Sequence, residues 1–186
     1  MPIPTILLDA NVLVPLSVRD TILRAAEAGL CQVRWTDAIL SEVERTLVRQ
    51  RLTTAAQAAR LLEVMRTAFP DASITGYEPS IDQMTNDPKD RHVTAAARHA
   101  HVDLIVTNNL RDFHERDLEP FNLRAIHPDD LLLRLLRADP DVMLGILQQQ
   151  ERDRRKPPQT LSEILDGLAV NVPRFVATIR QRLAVP

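Results

Sequence analysis

Four acidic residues, Asp9, Glu42, Asp90 and Asp112, are candidates to hold a hard divalent cation. Mg²⁺ and Mn²⁺ take carboxylate and water oxygens in preference to softer ligands. An ion held in this way polarises a phosphate, acidifies a bound water and shields a leaving oxygen, which is the chemistry of phosphodiester cleavage. One carboxylate holds Mg²⁺ weakly. A cluster holds it better, and the repulsion within the cluster is relieved when the ion arrives. Each acid also has an ordinary structural use. Asp9 closes the apolar run Ile6-Leu7-Leu8 and could be a turn acid or a helix cap. Glu42 precedes Val43 on the edge of an apolar helix face and could pair with Arg45. Asp90 falls early in a helix, where an acid favours the helix dipole. Asp112 stands in a polar stretch before Phe113 and could be a turn acid.

The elements that must position these acids read as alternating strands and helices. Thr5 to Leu8 is a short apolar run, the pattern of a buried strand. Asn11 is placed to cap a helix that continues to Ala28 and stops at Gly29. Cys31 to Trp35 reads as a second strand. Thr36 or Asp37 can cap the next helix, in which Ile39, Val43 and Leu47 recur every four residues. A further helix spans Thr54 to Ala68 and is stopped by Pro70. Residues 71–88 read as loop with a short edge strand near Ile74. Asn86-Asp87-Pro88 marks a helix start, with Asp87 as cap and Pro88 at the first helical position. That helix buries Val93, Ala96, Ala97 and Ala100. Asp103 to Thr107 and Asn122 to Ile126 complete the strands. Such alternation predicts an α/β fold, a parallel sheet covered by helices on both faces. Ligands of these sheets bind beyond the carboxyl ends of the strands, where Asp9 and Thr107 both fall. From Pro128 onward the pattern is helical only, with apolar faces such as Leu131, Leu132, Leu135 and Leu136. The expected division is a catalytic domain over residues 1–136 and a helical C-terminal extension over 137–186.

Composition narrows the function classes. A net charge of −2 excludes a strongly basic nucleic-acid coat, and the charge is uneven: −4 over residues 1–136 and +2 over 137–186. Aromatic residues make up 3% of the chain, too few for a broad base-stacking platform. Cys31 is the only cysteine, so no internal disulfide and no cysteine zinc site can form, and it reads as a core thiol. Met1-Pro2-Ile3-Pro4 carries no basic segment ahead of a long apolar run, and no apolar stretch approaches about 18 residues. A cytoplasmic protein with no membrane span is the expectation. His92, His99 and His101 crowd one helix, but a histidine pair four apart with a glutamate between, as zinc proteases need, is absent. They read as surface or boundary residues. The mixed-sign run Arg152-Asp153-Arg154-Arg155-Lys156 reads as a solvated linker.

Taken in order, the acids and their contexts resemble the PIN-domain nucleases, and within them the VapC-like toxins. The matching pieces are Leu7-Leu8-Asp9-Ala10-Asn11, then Ser41-Glu42-Val43-Glu44-Arg45-Thr46-Leu47. They continue with Asp87-Pro88-Lys89-Asp90-Arg91-His92-Val93 leading into Ala95-Ala96-Ala97, and with Val106-Thr107-Asn108-Asn109-Leu110-Arg111-Asp112-Phe113. Together they cover roughly residues 5–127. The resemblance implies a flavodoxin-like, three-layer α/β/α sandwich with a Mg²⁺- or Mn²⁺-dependent endoribonuclease site. It places Asp9, Glu42, Asp90 and Asp112 on the acidic positions and Asn11 and Thr107 on supporting polar ones. Asn109 is an amide where some PIN proteins carry an acid, so it joins the supporting group and Asp112 has to supply the fourth charge. Glu44 is an alternative to Glu42, less well placed in the motif. In the implied mechanism Asp9, Asp90 and Glu42 hold the first ion, directly or through water. Asp112 orients the attacking water or helps to hold a second ion. Arg91, Arg98 and Arg111 flank the acids and Arg19 follows the first helix turn; all four are candidates to hold RNA phosphates, with routine surface charge as the alternative.

The resemblance also implies partners: an RNA substrate, an antitoxin that blocks the site and, in many members, a second copy in a homodimer. The C-terminal helices either pack on the PIN-like core or help to bind such a partner. Two rival readings fit parts of the same sequence. A phosphatase of the HAD type also begins with an apolar strand ending in Asp, but it needs a second Asp two residues on, where this chain has Asn11. A non-catalytic binding module would keep the PIN fold without the metal, and the amide at Asn109 leaves room for it.

Overall fold

The computed structural model describes residues 3–155 and 157–184. The chain forms two compact units. The first runs to Val14 and resumes over Cys31–Ile126; the second comprises Pro15–Leu30 and the residues from His127 onward.

In the first unit, β1 (Thr5–Leu8) is followed by the short α1 (Ala10–Leu13). The expected single helix from Asn11 to Ala28 is broken: α1 ends at Leu13 and α2 (Leu16–Glu27), which belongs to the second unit, starts after Pro15. Pro15 has no N–H to give to a helix, and its ring would strike the carbonyl one turn back. The cap of α1 is Asp9 rather than Asn11, its carboxylate accepting the Ala10 N–H. β2 (Gln32–Arg34) leads into α3 (Asp37–Arg49), capped by Thr36, whose hydroxyl accepts the Ile39 N–H. α4 (Ala55–Ala68) opens with a reciprocal capping box between Thr54 and Gln57. The stretch 71–88 holds two 3₁₀ turns, and the edge strand expected near Ile74 is reduced to a single bridge between Trp35 and Ser73. α5 (Arg91–His99), β3 (Leu104–Val106), α6 (Glu115–Leu118) and β4 (Ala125–Ile126) complete the unit.

The sheet is parallel throughout, in the order β2-β1-β3-β4, as the strand–helix alternation predicts. The chain leaves β1 for β2 on one side and returns to β3 on the other. The order therefore reverses between β1 and β3, the point at which open α/β sheets gather their ligand-binding loops. Pairing of Leu8 with Val106 sets the two strand ends level. Ile6, Leu7, Leu8, Ile105 and Val106 are fully buried, and Trp35 meets Phe69 edge to face at 5.9 Å. These apolar positions make the sheet a rigid base for the loops that follow it.

The second unit is all helical: α2 with α7 (Pro128–Ala138), α8 (Pro140–Asp153), α9 (Leu161–Ala169) and α10 (Pro173–Leu183). The division expected after residue 136 falls inside α7. The break comes between Ile126 and His127, because Leu131, Leu132, Leu135 and Leu136 are buried in the helical unit, where α7 packs on α8 and α10. The Arg152-to-Lys156 run is not simply solvated: Asp153 pairs with Arg24 of α2 at 2.8 Å, and Arg154 lies 3.7 Å from Asp20. Lys156 lies outside the described residues. Among the described residues, no helix is long and apolar enough to cross a membrane.

Candidate active site

The register of β1 and β3 builds the centre of the site. Asp9 follows Leu8 directly and donates its own N–H to the carbonyl of Val106 at 3.0 Å, which continues the sheet by one more rung. Its side chain is 4% exposed and held on every side. Oδ1 accepts the Ala10 N–H at 2.6 Å; Oδ2 accepts the Asn11 amide at 2.6 Å and the Thr107 hydroxyl at 2.7 Å. Asn11 also accepts the Asn108 N–H through Oδ1 and takes the Asn108 amide on its carbonyl. Thr107 accepts the Asn109 N–H at 3.0 Å. Asn11 and Thr107 thus clamp Asp9 and join the two strand ends. Burial raises the Asp9 carboxyl above its ordinary range. The Thr107 hydroxyl and the Ala10 amide oppose that rise, and the negative charge of Glu42 adds to it.

Asp90 enters from the start of α5. The helix begins at Arg91, not at Pro88. Asp87 caps only the preceding turn, with its carboxylate on the Lys89 N–H and its carbonyl on the Asp90 N–H. Asp90 occupies the cap position of α5 yet makes no side-chain capping bond, so its carboxylate is left for other use. Burial, followed by the charges of Asp9, Asp112 and Asp87, pushes its carboxyl up from 3.8 to about 6. Asp112 closes a 3₁₀ turn, Leu110–Asp112, and accepts the side-chain amide of Asn109. Glu42 comes from α3, and its charge reaches Asp9. The four acids therefore form one electrostatic group: Glu42 acts on Asp9, and Asp9 and Asp112 act on Asp90.

This donor set is all carboxylate oxygen, with polar amides behind it, and suits Mg²⁺ or Mn²⁺ rather than a thiophilic ion. Among the described residues no group of three or more His, Cys, Asp or Glu side chains is arranged to hold a metal ion. An open constellation is compatible with Mg²⁺, which keeps several waters and needs only one or two direct carboxylates.

The raised Asp90 carboxyl has a measurable consequence. Between 3.8 and about 6 the folded chain retains a proton that the unfolded chain has released, so this group's contribution to stability falls as pH rises through that window. Asp90→Asn removes the effect. Its thermal midpoint is expected to match wild type near pH 4 and exceed it at pH 7. The gain is about 1 kcal/mol once the half-exposed position is discounted for solvent screening. A midpoint difference that does not grow with pH would refute the charge coupling.

The basic residues separate. Arg98 stacks its guanidinium 4.7 Å from the centre of the Phe121 ring and donates to Gln83 at 2.7 Å, so it is occupied in packing. Arg91 donates to the carbonyl of Asn86 at 3.2 Å. Arg111 is exposed, donates to Asn109 and lies 3.9 Å from Asp112. Arg19 is on α2 in the helical unit, where it is buried and desolvation lowers its guanidinium. It is not a surface cation of the sheet unit. His92, read from sequence as a boundary residue, stands with Nε2 3.2 Å from Glu42 Oε1. Its place two residues after Asp90 was the only sequence signal of this.

Residues 5–111 match the family model described as PIN domain, and residues 128–181 match that described as VapC50 C-terminal domain. The chain is 40% identical over 110 residues to a Mycobacterium tuberculosis protein named "Putative ribonuclease VapC50". The aligned segment covers 57% of this chain and 63% of that relative, so somewhat under two thirds of the relative's length is spanned. No solved structure matches the chain.

Proposed function

The chain belongs to the PIN-domain family, and from that premise we propose that it is a divalent-metal-dependent endoribonuclease, the toxin of a VapBC-type toxin–antitoxin pair. The observation that carries this reading is Asp9 at the carboxyl end of β1, clamped by Asn11 and by Thr107 beyond β3, with the charge of Glu42 acting on it and its own charge acting on Asp90. Mg²⁺ or Mn²⁺ bound by Asp9, Asp90 and Glu42 would supply Lewis acidity and offset charge at the phosphate. Asp9 is preorganised for this task, since Asn11 and Thr107 hold its carboxylate before any substrate arrives. Asp112, which accepts the Asn109 amide, would orient the attacking water or help to hold a second ion. Arg111 is the exposed cation beside this acid and is the favoured phosphate contact. The amide at position 109 does not speak for an inert module, because it supports Asp112. The relative's name supports RNA as the substrate, and the resemblance to VapC-like toxins supports a cognate antitoxin that blocks the site.

The test is direct. The purified chain should cut single-stranded RNA in Mg²⁺ or Mn²⁺, stop in EDTA and resume when the ion is restored. A cognate antitoxin should inhibit the reaction when mixed with the chain. Ion-independent cleavage would overturn the metal assignment. Calorimetric absence of ion binding together with absence of cleavage would favour the inert binding module.

A further inference from the structure

We infer that the hydrogen bond from Thr85 Oγ1 to Asp117 Oδ1 sets the spacing between Asp90 and Asp112, which makes Thr85 and Asp117 positioning residues of the acidic site; this rests on the nuclease reading above. The bond measures 2.8 Å. The two acids come from separate stretches of chain. Asp90 makes no side-chain capping bond, and Asp112 is held within its own turn, by Asn109. Buried Met84 and Asn86 anchor the stretch that leads to Asp90, and Thr85 between them is exposed. Buried Phe113 and Leu118 anchor the stretch that follows Asp112. Asp117 lies beside Leu118 on α6, its side chain 12% exposed. Among the described residues, Thr85 to Asp117 is the one hydrogen bond that joins residues 84–91 to residues 109–118.

Both stretches are stiff between the tie and the acid. The Asp90 N–H donates to the Asp87 carbonyl at 2.9 Å, and the Asp87 carboxylate takes the Lys89 N–H. On the other side, the Phe113 N–H donates to the Leu110 carbonyl at 3.1 Å and the Asp117 N–H to that of His114 at 3.0 Å. A shift at Thr85 or Asp117 is therefore carried along the backbone to Asp90 or Asp112. The force to be resisted is the repulsion of the acids themselves, since the charge of Asp112 bears on Asp90. Arg98 braces the outer ends of the same stretches, donating to Gln83 and stacking on Phe121. The Thr85–Asp117 bond lies nearer to both acids in sequence. An exposed bond of this kind adds little to stability. Reaction rate is more sensitive, because a displacement of about 1 Å at the reacting groups can cost about 100-fold.

The full chain should be assayed for RNA cleavage and titrated with Mn²⁺ by calorimetry, with circular dichroism to confirm folding of each variant. Thr85→Val keeps the shape of the side chain and loses the hydroxyl. It is expected to lower kcat about tenfold with KM for RNA within about twofold, and to weaken Mn²⁺ binding about tenfold. Its unfolding midpoint should shift by about 3 °C or less. Thr85→Ser keeps the donor and Asp117→Asn keeps an acceptor oxygen, so both should stay within about threefold of wild type. In an Asp117→Ala background, Thr85→Val should change kcat by less than about twofold, because the partner is already gone. Wild-type kcat and Mn²⁺ affinity in folded Thr85→Val would overturn the inference and leave the nuclease reading intact. An undiminished Thr85→Val effect in the Asp117→Ala background would also overturn it. So would equal losses in Asp117→Asn and Asp117→Ala, since the charge rather than the bond would then matter. A wild-type chain that takes up no Mn²⁺ and cuts no RNA would overturn the nuclease reading and this inference with it.

Discussion

Asp9→Asn is expected to lower RNA cleavage on the order of 10³-fold, equivalent to about 4 kcal/mol of transition-state stabilisation, with little change in thermal midpoint. The two halves of this result have separate causes. The substitution keeps the shape of the side chain and one of its oxygens, so the buried space stays filled. Some of the bonds from Ala10, Asn11 and Thr107 are weakened. Against that loss, the folded chain no longer has to bury a carboxylate whose charged form is disfavoured there. The two effects oppose each other, and stability should move by about 1 kcal/mol or less. What cannot be compensated is the missing charge at the centre of the acidic group. Cleavage rates and unfolding midpoints measured on one preparation separate the outcomes. Full activity would remove Asp9 from the mechanism. Lost activity with a collapsed midpoint would make it a structural residue.

The largest expected effect on stability lies in the helical unit, at a residue with no part in the proposed chemistry. Asp129 is 2% exposed. Its carboxylate accepts the Phe175 N–H at 2.7 Å, the Arg174 N–H at 3.0 Å and Arg174 Nε at 3.2 Å. Two of these donors are first-turn amides of α10, which have no partner within their own helix. Asp129→Ala strands them in the interior and should cost about 3 kcal/mol, read as a lower urea midpoint at an unchanged slope. Asp129→Asn keeps one acceptor and should cost roughly half as much. Asp130, whose contact with Arg174 is on the surface, serves as the control, and Asp130→Ala should leave the midpoint nearly unchanged. Equal effects at the two positions would show that the buried amides find other partners.

Much of the first unit was legible because its signals are local. A short apolar run ended by an acid can hardly be anything but a buried strand with a polar carboxyl end, and β1 and Asp9 follow from it. The helix start at Thr54 and the four-residue recurrence of Ile39, Val43 and Leu47 behave as their spacing requires. The misreadings arose where one sequence signal served two structures. Asp87-Pro88 suits a helix start and a tight turn equally well, and the turn prevails, leaving Asp90 uncommitted to capping. Pro15 was an audible break in the first helix, yet the apolar residues on either side masked it.

The amino-acid order alone determined that a parallel sheet would form and offered the acids proposed to carry the chemistry, because strand and helix periods are written residue by residue. Tertiary structure decided the rest. Sheet order and the pairing of Leu8 with Val106 brought Asp9 beside Thr107, 98 residues away in sequence. Packing assigned α2 to the helical unit, gave Arg98 to Phe121 and set His92 against Glu42. Such choices depend on which surfaces meet once the chain has closed on itself. No local window contains both members of those pairs, so only the folded chain could select them.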